Sequence, residues 1–153
     1  MNATEFVRLL RPHADRVQAQ TGIPAPIMLA QAALETGWLA KPTRDKTTGR
    51  DSLNLFNIKG TGPAGSVTAL TTEYVRGQQV KVDAQFRAYQ SYEQSFADYA
   101  RLITTNKRYA PAMAVRGNPI EFARALQRCG YATDPRYADK LISIMRRYMG
   151  VKA

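Results

Sequence analysis

The sequence predicts a mainly α, α+β domain: a helical body with one β-hairpin set into it. Three observations carry this. Apolar residues recur at helical spacing over most of the 153 residues, in segments bounded by cap and stop residues. One segment near residue 80 alternates with a period of two instead. No internal repeat or low-complexity linker divides the chain, so its length suits a single domain over residues 1–153.

Residues 4–20 read as an amphipathic helix. Thr4 is its expected cap, Phe6, Leu9, Leu10, His13, Ala14 and Val17 form its stripe, and Gly22 ends it. A second helix is expected from about Pro26 to Thr36, with proline in the first turn and Gly37 just past the end. From Ile27 to Leu34 only Gln31 is polar, and a helix apolar on every side is a central, buried one. Residues 40–54 are polar and turn-rich, a long surface loop. Next, "SVTALTTEYV" is rich in Thr and Val, "RGQQ" is a connector, and Val80, Val82, Ala84, Phe86 and Ala88 alternate with polar residues. Together they predict a hairpin from about 66 to 88. Ser91 and Gln94 form a capping-box pattern ahead of Phe96, Tyr99, Leu102 and Ile103. Asn118-Pro119 opens another helix, which Gly130 ends, and Asp134-Pro135 opens the last, running to about Gly150.

Composition narrows the function. The 22 Lys and Arg against 12 Asp and Glu give a net charge of +10. That predicts attraction to a polyanion: nucleic acid, a membrane surface or an acidic wall polymer. Cys129 is the only cysteine, which excludes an internal disulfide and a cysteine-based zinc site. His13 is the only histidine, so any Ser-His-Asp triad would have to be built on it. No cofactor or metal is expected. No run approaches the ~18 apolar residues of a membrane helix. The N-terminus also lacks the pattern of a secretory signal. The protein is therefore expected to be cytosolic, to be exported by another route, or to be one domain of a longer exported chain.

The chemistry-bearing residues are carboxylates. Glu35 closes the apolar helix. Burial disfavours a charged carboxylate, and so does the partial negative charge at a helix C-terminus. Trp38 is close enough in sequence to cover it with apolar surface. A carboxyl so held is a general acid able to protonate a leaving oxygen. The alternative is a solvated glutamate at a helix end. A glycosidase uses a second carboxylate across the cleft. Glu73, on the first hairpin strand, is the leading candidate, with Asp83, Asp45 and Asp51 as rivals and a solvated strand glutamate as the alternative. Tyr109, Tyr131, Tyr137 and Trp38 are candidates to line a sugar groove or, alternatively, to fill the core.

The segments "AQAALETGW", "LNLFNIKG", "TTEY", "FRAYQSYEQSFADYARLI", "RYA" and "GYATDPRYADKLISIM" occur in this order. From about residue 4 to 149 the chain resembles family 73 of the glycoside hydrolases, in particular the peptidoglycan-hydrolase domains of its flagellar rod-assembly type. The resemblance implies a lysozyme-like fold, with a helical lobe and a small β-hairpin lobe flanking a glycan groove. It implies hydrolysis of the β-1,4-linked peptidoglycan backbone, by endo-β-N-acetylglucosaminidase action or alternatively as a muramidase or lytic transglycosylase. A non-catalytic wall-binding module is the remaining alternative. By motif it implies Glu35 as general acid, Glu73 as the second glutamate and Tyr131 as a tyrosine near the scissile sugar. Asn54 and Phe56 match the segment that supports the groove, and Trp38, Tyr109 and Tyr137 are expected to bind substrate. The implied partners are peptidoglycan strands and the flagellar rod or another wall-spanning machine. The expected protein is a monomer in the periplasm or cell wall, with neither nucleic acid nor membrane insertion. Asn57 departs from the family, whose members often have glycine there. The rod-scaffolding domain that usually precedes such hydrolases is not in this sequence, which leaves a free-standing or phage-related role open.

Overall fold

In the computed structural model, which describes residues 1–152, the element order is α1 (Ala3–Thr21), α2 (Ala25–Thr36), β1 (Ser66–Val75), β2 (Gln78–Arg87), α3 (Tyr92–Thr105), α4 (Ala110–Ala114), α5 (Pro119–Arg128) and α6 (Tyr137–Tyr148). The predicted mainly helical fold with one hairpin is what the chain forms. The α1 cap is Asn2 rather than Thr4. Asn2 Oδ1 accepts from the Glu5 amide at 2.9 Å and Glu5 Oε2 accepts from the Asn2 amide at 3.2 Å, so two orphan donors are satisfied at once. At α3 the Ser91 hydroxyl accepts from the Gln94 amide, but the Gln94 side chain accepts from Gln90 rather than Ser91. The expected reciprocal box is therefore opened by one residue. Asn118 caps α5 by accepting from the Ile120 and Glu121 amides. Asp134-Pro135 sits in a turn ahead of α6, which begins only at Tyr137. Helix α4 shows no apolar stripe long enough to be foreseen.

Helix α2 is the axis of the helical lobe. It packs on α1, α5 and α6, while α1 also packs on α3. Nine of its twelve residues are buried, including Ile27, Met28 and Leu29, each contributing roughly 1.5–3 kcal/mol by leaving water. Its buried Gln31 side chain is satisfied on both ends. The Tyr99 hydroxyl donates to its Oε1, and its Nε2 donates to the Tyr137 oxygen at 2.9 Å.

The hairpin is antiparallel, with Val75 opposite Gln78, so Arg76 and Gly77 alone make the turn. Both have positive φ, 53° and 77°, as a two-residue turn matched to strand twist requires. Residues two apart share a face. One face therefore carries Val67, Ala69, Thr71 and Glu73 with their partners Phe86, Ala84, Val82 and Val80. Val67 and Phe86 join Ala88 in a small core separate from the main one. The half-buried remainder of that face forms a wall.

Residues 40–54 form the expected loop, pinned to the hairpin by Asp45. Its carboxylate accepts from the Thr47, Thr48 and Thr68 amides. These bonds pull Asp45 down to about 2, the Thr68 amide most strongly. The Lys46 amide donates to the Thr68 carbonyl, completing the attachment.

Candidate active site

Glu35 lies in the last turn of α2. Beyond it the chain makes a left-handed reversal. Gly37, Trp38 and Leu39 have φ of 57°, 59° and 64°, a conformation costing a non-glycine residue about 1–2 kcal/mol. The Thr36 hydroxyl supports it, donating to the Ala32 carbonyl at 2.7 Å and accepting from the Leu39 amide at 3.0 Å. This reversal returns Lys41 to Arg44 alongside Glu35. It also turns Trp38 toward α1 and α6. The indole stands edge-on to Phe6 at 5.2 Å and to Tyr148 at 5.0 Å. The Trp38 ring is half-buried and packs edge-on between α1 and α6.

Glu35 is half-buried at this helix end. Its charge acts on Tyr131 and Tyr137, helping to push both phenols above their ordinary range after the larger effect of burial. Burial likewise pushes the Glu35 carboxyl up. The Asn57 amide opposes this, donating to Glu35 Oε2 at 3.3 Å and to the Glu35 carbonyl at 3.2 Å.

Glu35 opens onto a cleft of about 500 Å³ between the lobes, lined also by Thr43, Asn57, Lys59, Thr71 and Phe86. Glu73 sits on the cleft-facing side of β1, two residues beyond Thr71, and its Oε1 accepts from Lys59 Nζ at 2.7 Å. The rival carboxylates are otherwise engaged. Asp83 lies on the opposite hairpin face, bonded to Lys46. Asp45 pins the loop, and Asp51 accepts from the Leu53 amide. A larger recess, about 950 Å³, lies between residues 61–63 and the C-terminal half of α3. Its only lining carboxylate, Asp98, is already bonded to Arg87 and Tyr89. Of these two, the smaller cleft is lined by the carboxyl that burial raises, Glu35.

The remaining expected site residues lie behind the cleft. Asn54 is 3% exposed, Phe56 4%, Tyr109 5% and Tyr137 3%. Asn54 staples the turn below the cleft: its amide donates to the Ile58 and Arg87 carbonyls and its oxygen accepts from the Phe56 and Ile58 amides. Phe56 stacks on Tyr99 at 4.3 Å. Asn54 and Phe56 thus brace the turn from within, and Tyr109 and Tyr137 are buried in the main core. Tyr131 is half-buried and stacks on Tyr137 at 5.7 Å, and of the two tyrosines on which the Glu35 charge acts it is the more exposed. Thr43 and Lys59 escaped the sequence reading; the lysine following "LFNI" was their only local signal.

Residues 11–150 match the family model described as mannosyl-glycoprotein endo-beta-N-acetylglucosaminidase, the Glucosaminidase family. The chain is similar to the peptidoglycan hydrolase FlgJ of Pseudomonas aeruginosa, at 44% identity over 99% of this chain and 38% of the relative. It is 35% identical to the exo-glucosaminidase LytG of Bacillus subtilis, over 94% of this chain and 50% of that protein. The chain thus spans between about a third and a half of these curated relatives. Among solved structures, the C-terminally truncated glycoside hydrolase domain of Salmonella typhimurium FlgJ superposes with a TM-score of 0.80 at 39% identity, covering 99% of this chain and 100% of that one.

Proposed function

We propose that this chain, which belongs to the glucosaminidase family of glycoside hydrolases, cleaves β-1,4 bonds of the peptidoglycan backbone as an endo-β-N-acetylglucosaminidase. The observation that carries the reading is Glu35: a carboxyl raised by burial, opening onto a cleft lined by Lys59, which bonds Glu73 on the hairpin. Glu35 protonates the glycosidic oxygen as the bond breaks. Glu73 acts from the hairpin wall, as base to a water or as an anion stabilising charge on the sugar. Tyr131, whose phenol is held protonated, donates a hydrogen bond toward the scissile sugar. The net charge of +10 concentrates the protein on the anionic wall. The site of action is the periplasm or cell wall. The family resemblance suggests the flagellar rod or another wall-spanning machine as partner, with the hydrolase itself monomeric.

The test is digestion of purified sacculi, reduction of the products and mass spectrometry. A GlcNAc reducing end is expected. A MurNAc reducing end would identify a muramidase, an anhydro-MurNAc end a lytic transglycosylase, and no release at all a binding module.

A further inference from the structure

We infer that Asn57 is a positioning residue for Glu35, its side-chain amide deciding which carboxyl oxygen carries the acid proton. The inference rests on Glu35 being the general acid. Asn57 Nδ2 faces two oxygens of Glu35, the backbone carbonyl at 3.2 Å and Oε2 at 3.3 Å. The carbonyl can only accept, so the amide is held with its NH₂ toward Glu35. The Thr43 hydroxyl donates to Asn57 Oδ1 from the other side and locks that orientation. Oε2 therefore always meets a donor, and the proton resides on Oε1. The Glu35 carbonyl is also one of the last carbonyls of α2, which lack intrahelical partners. One amide thus fixes the helix end and the carboxyl together. Asn57 itself has φ 53°, a left-handed conformation that asparagine tolerates and that aims its side chain back at α2.

The relay links the catalytic glutamate to the loop after it. Thr43 belongs to the segment that Asp45 pins on β1, so loop, hairpin and acid share one hydrogen-bonded frame. The other groups facing Glu35 are Tyr131, from the loop after α5, and Tyr137 of α6. Lys41 and Arg44, from the loop after α2, and Lys59 also line the cleft, and Glu73 lies behind Lys59. All of these stay in place when Asn57 alone is changed.

The experiment compares wild type with Asn57→Gly and Asn57→Asp, both compatible with a positive φ. kcat and KM are measured against pH on soluble glycan strands, and Glu35 is titrated directly by carboxyl ¹³C NMR. For Asn57→Gly, the alkaline limb of kcat and the Glu35 midpoint both move to higher pH. The acid-side plateau of kcat falls by about threefold to tenfold with KM within about twofold. Asn57→Asp replaces the donor by a second carboxylate and moves both further the same way. Thr43→Val, which frees the amide, gives a smaller move of the same sign. An unmoved midpoint in Asn57→Gly overturns the role of Asn57 and leaves the acid assignment standing. A midpoint that moves without the limb overturns the acid assignment and, with it, the proposal.

Discussion

The two lobes hold their carboxylates in opposite settings. Glu35 ends a helix embedded in the main core, where burial penalises its charge. Glu73 stands on a two-stranded hairpin with 41% of its side chain exposed, in an ion pair with Lys59. The difference follows from thickness. Helix α2 is packed by α1, α5 and α6, so it can desolvate a side chain at its end. A lone hairpin has one thin core and leaves its outer reach half in water. A buried carboxyl beside an exposed one can let a single cleft supply both a proton donor and an anion. Under the proposed function, these settings would divide the roles between Glu35 as proton donor and Glu73 as anion.

The largest expected effect breaks the helical side of this comparison. Glu35→Gln keeps the shape and removes the proton. It should lower kcat on peptidoglycan by about 10³-fold, within the usual range for a general acid. Glu73→Gln should cost less, about 10- to 100-fold, and leave the melting temperature almost unchanged, because an exposed ion pair contributes only ~0–1 kcal/mol. Equal losses from both would mean that the lobes do not divide the chemistry as their settings imply.

The next effect tests whether the lobes are separate stability units. Phe86 is 6% exposed and anchors the hairpin's own core with Val67 and Ala88. Phe86→Ala should remove about 3 kcal/mol of local packing, which is roughly a hundredfold faster amide exchange across β1 and β2. Amides of α2 should keep their protection. If α2 protection falls equally, the molecule opens as one unit and the hairpin is not an independent wall.

How much of this was legible follows from the range of each interaction. Pro26, the apolar run and Gly37 are local signals, and they located α2 and the glutamate at its end. The alternation from Val80 to Ala88 is equally local and located the hairpin. The direction of Trp38 depends on three consecutive left-handed residues, and nothing in "TGWLA" apart from glycine announces them. Tyr109, Tyr137, Phe56 and Asn54 carry sugar-binding chemistry by type, yet contacts far along the chain bury them, as Gln31 does for Tyr137. The bonds from Asn57 to Glu35 and from Lys59 to Glu73 span 22 and 14 residues. No periodicity encodes such pairs.

A smaller effect probes how the helical lobe tolerates polar groups at all. Gln31 is fully buried and bonds Tyr99 and Tyr137 with its two ends. Gln31→Leu keeps the volume but strands the Tyr99 hydroxyl, at a cost of about 2 kcal/mol. That corresponds to a fall in melting temperature of about 4–8 °C for a domain of this size. Adding Tyr99→Phe to Gln31→Leu should recover part of the loss, since both partners are then apolar. If the double variant is no more stable than the single one, the loss comes from packing rather than from an unsatisfied hydroxyl.

The smallest effect concerns stability and returns to Glu35. Its folded-state value lies above the 4.5 of a free glutamate because burial disfavours the anion. Between 4.5 and the raised value the folded protein binds more protons at this position than the unfolded chain does. Stability therefore falls as pH rises through that window, and the contribution is intact below it. A glutamine at position 35 carries no charge at any pH and still accepts the Asn57 hydrogen bond. Glu35→Gln should accordingly melt slightly above wild type at pH 7, with the difference vanishing near pH 4. Thermal melts at the two pH values check this directly. A variant less stable than wild type at both would mean that the cleft solvates the Glu35 anion well, and the contrast between the two lobes would lose its physical basis.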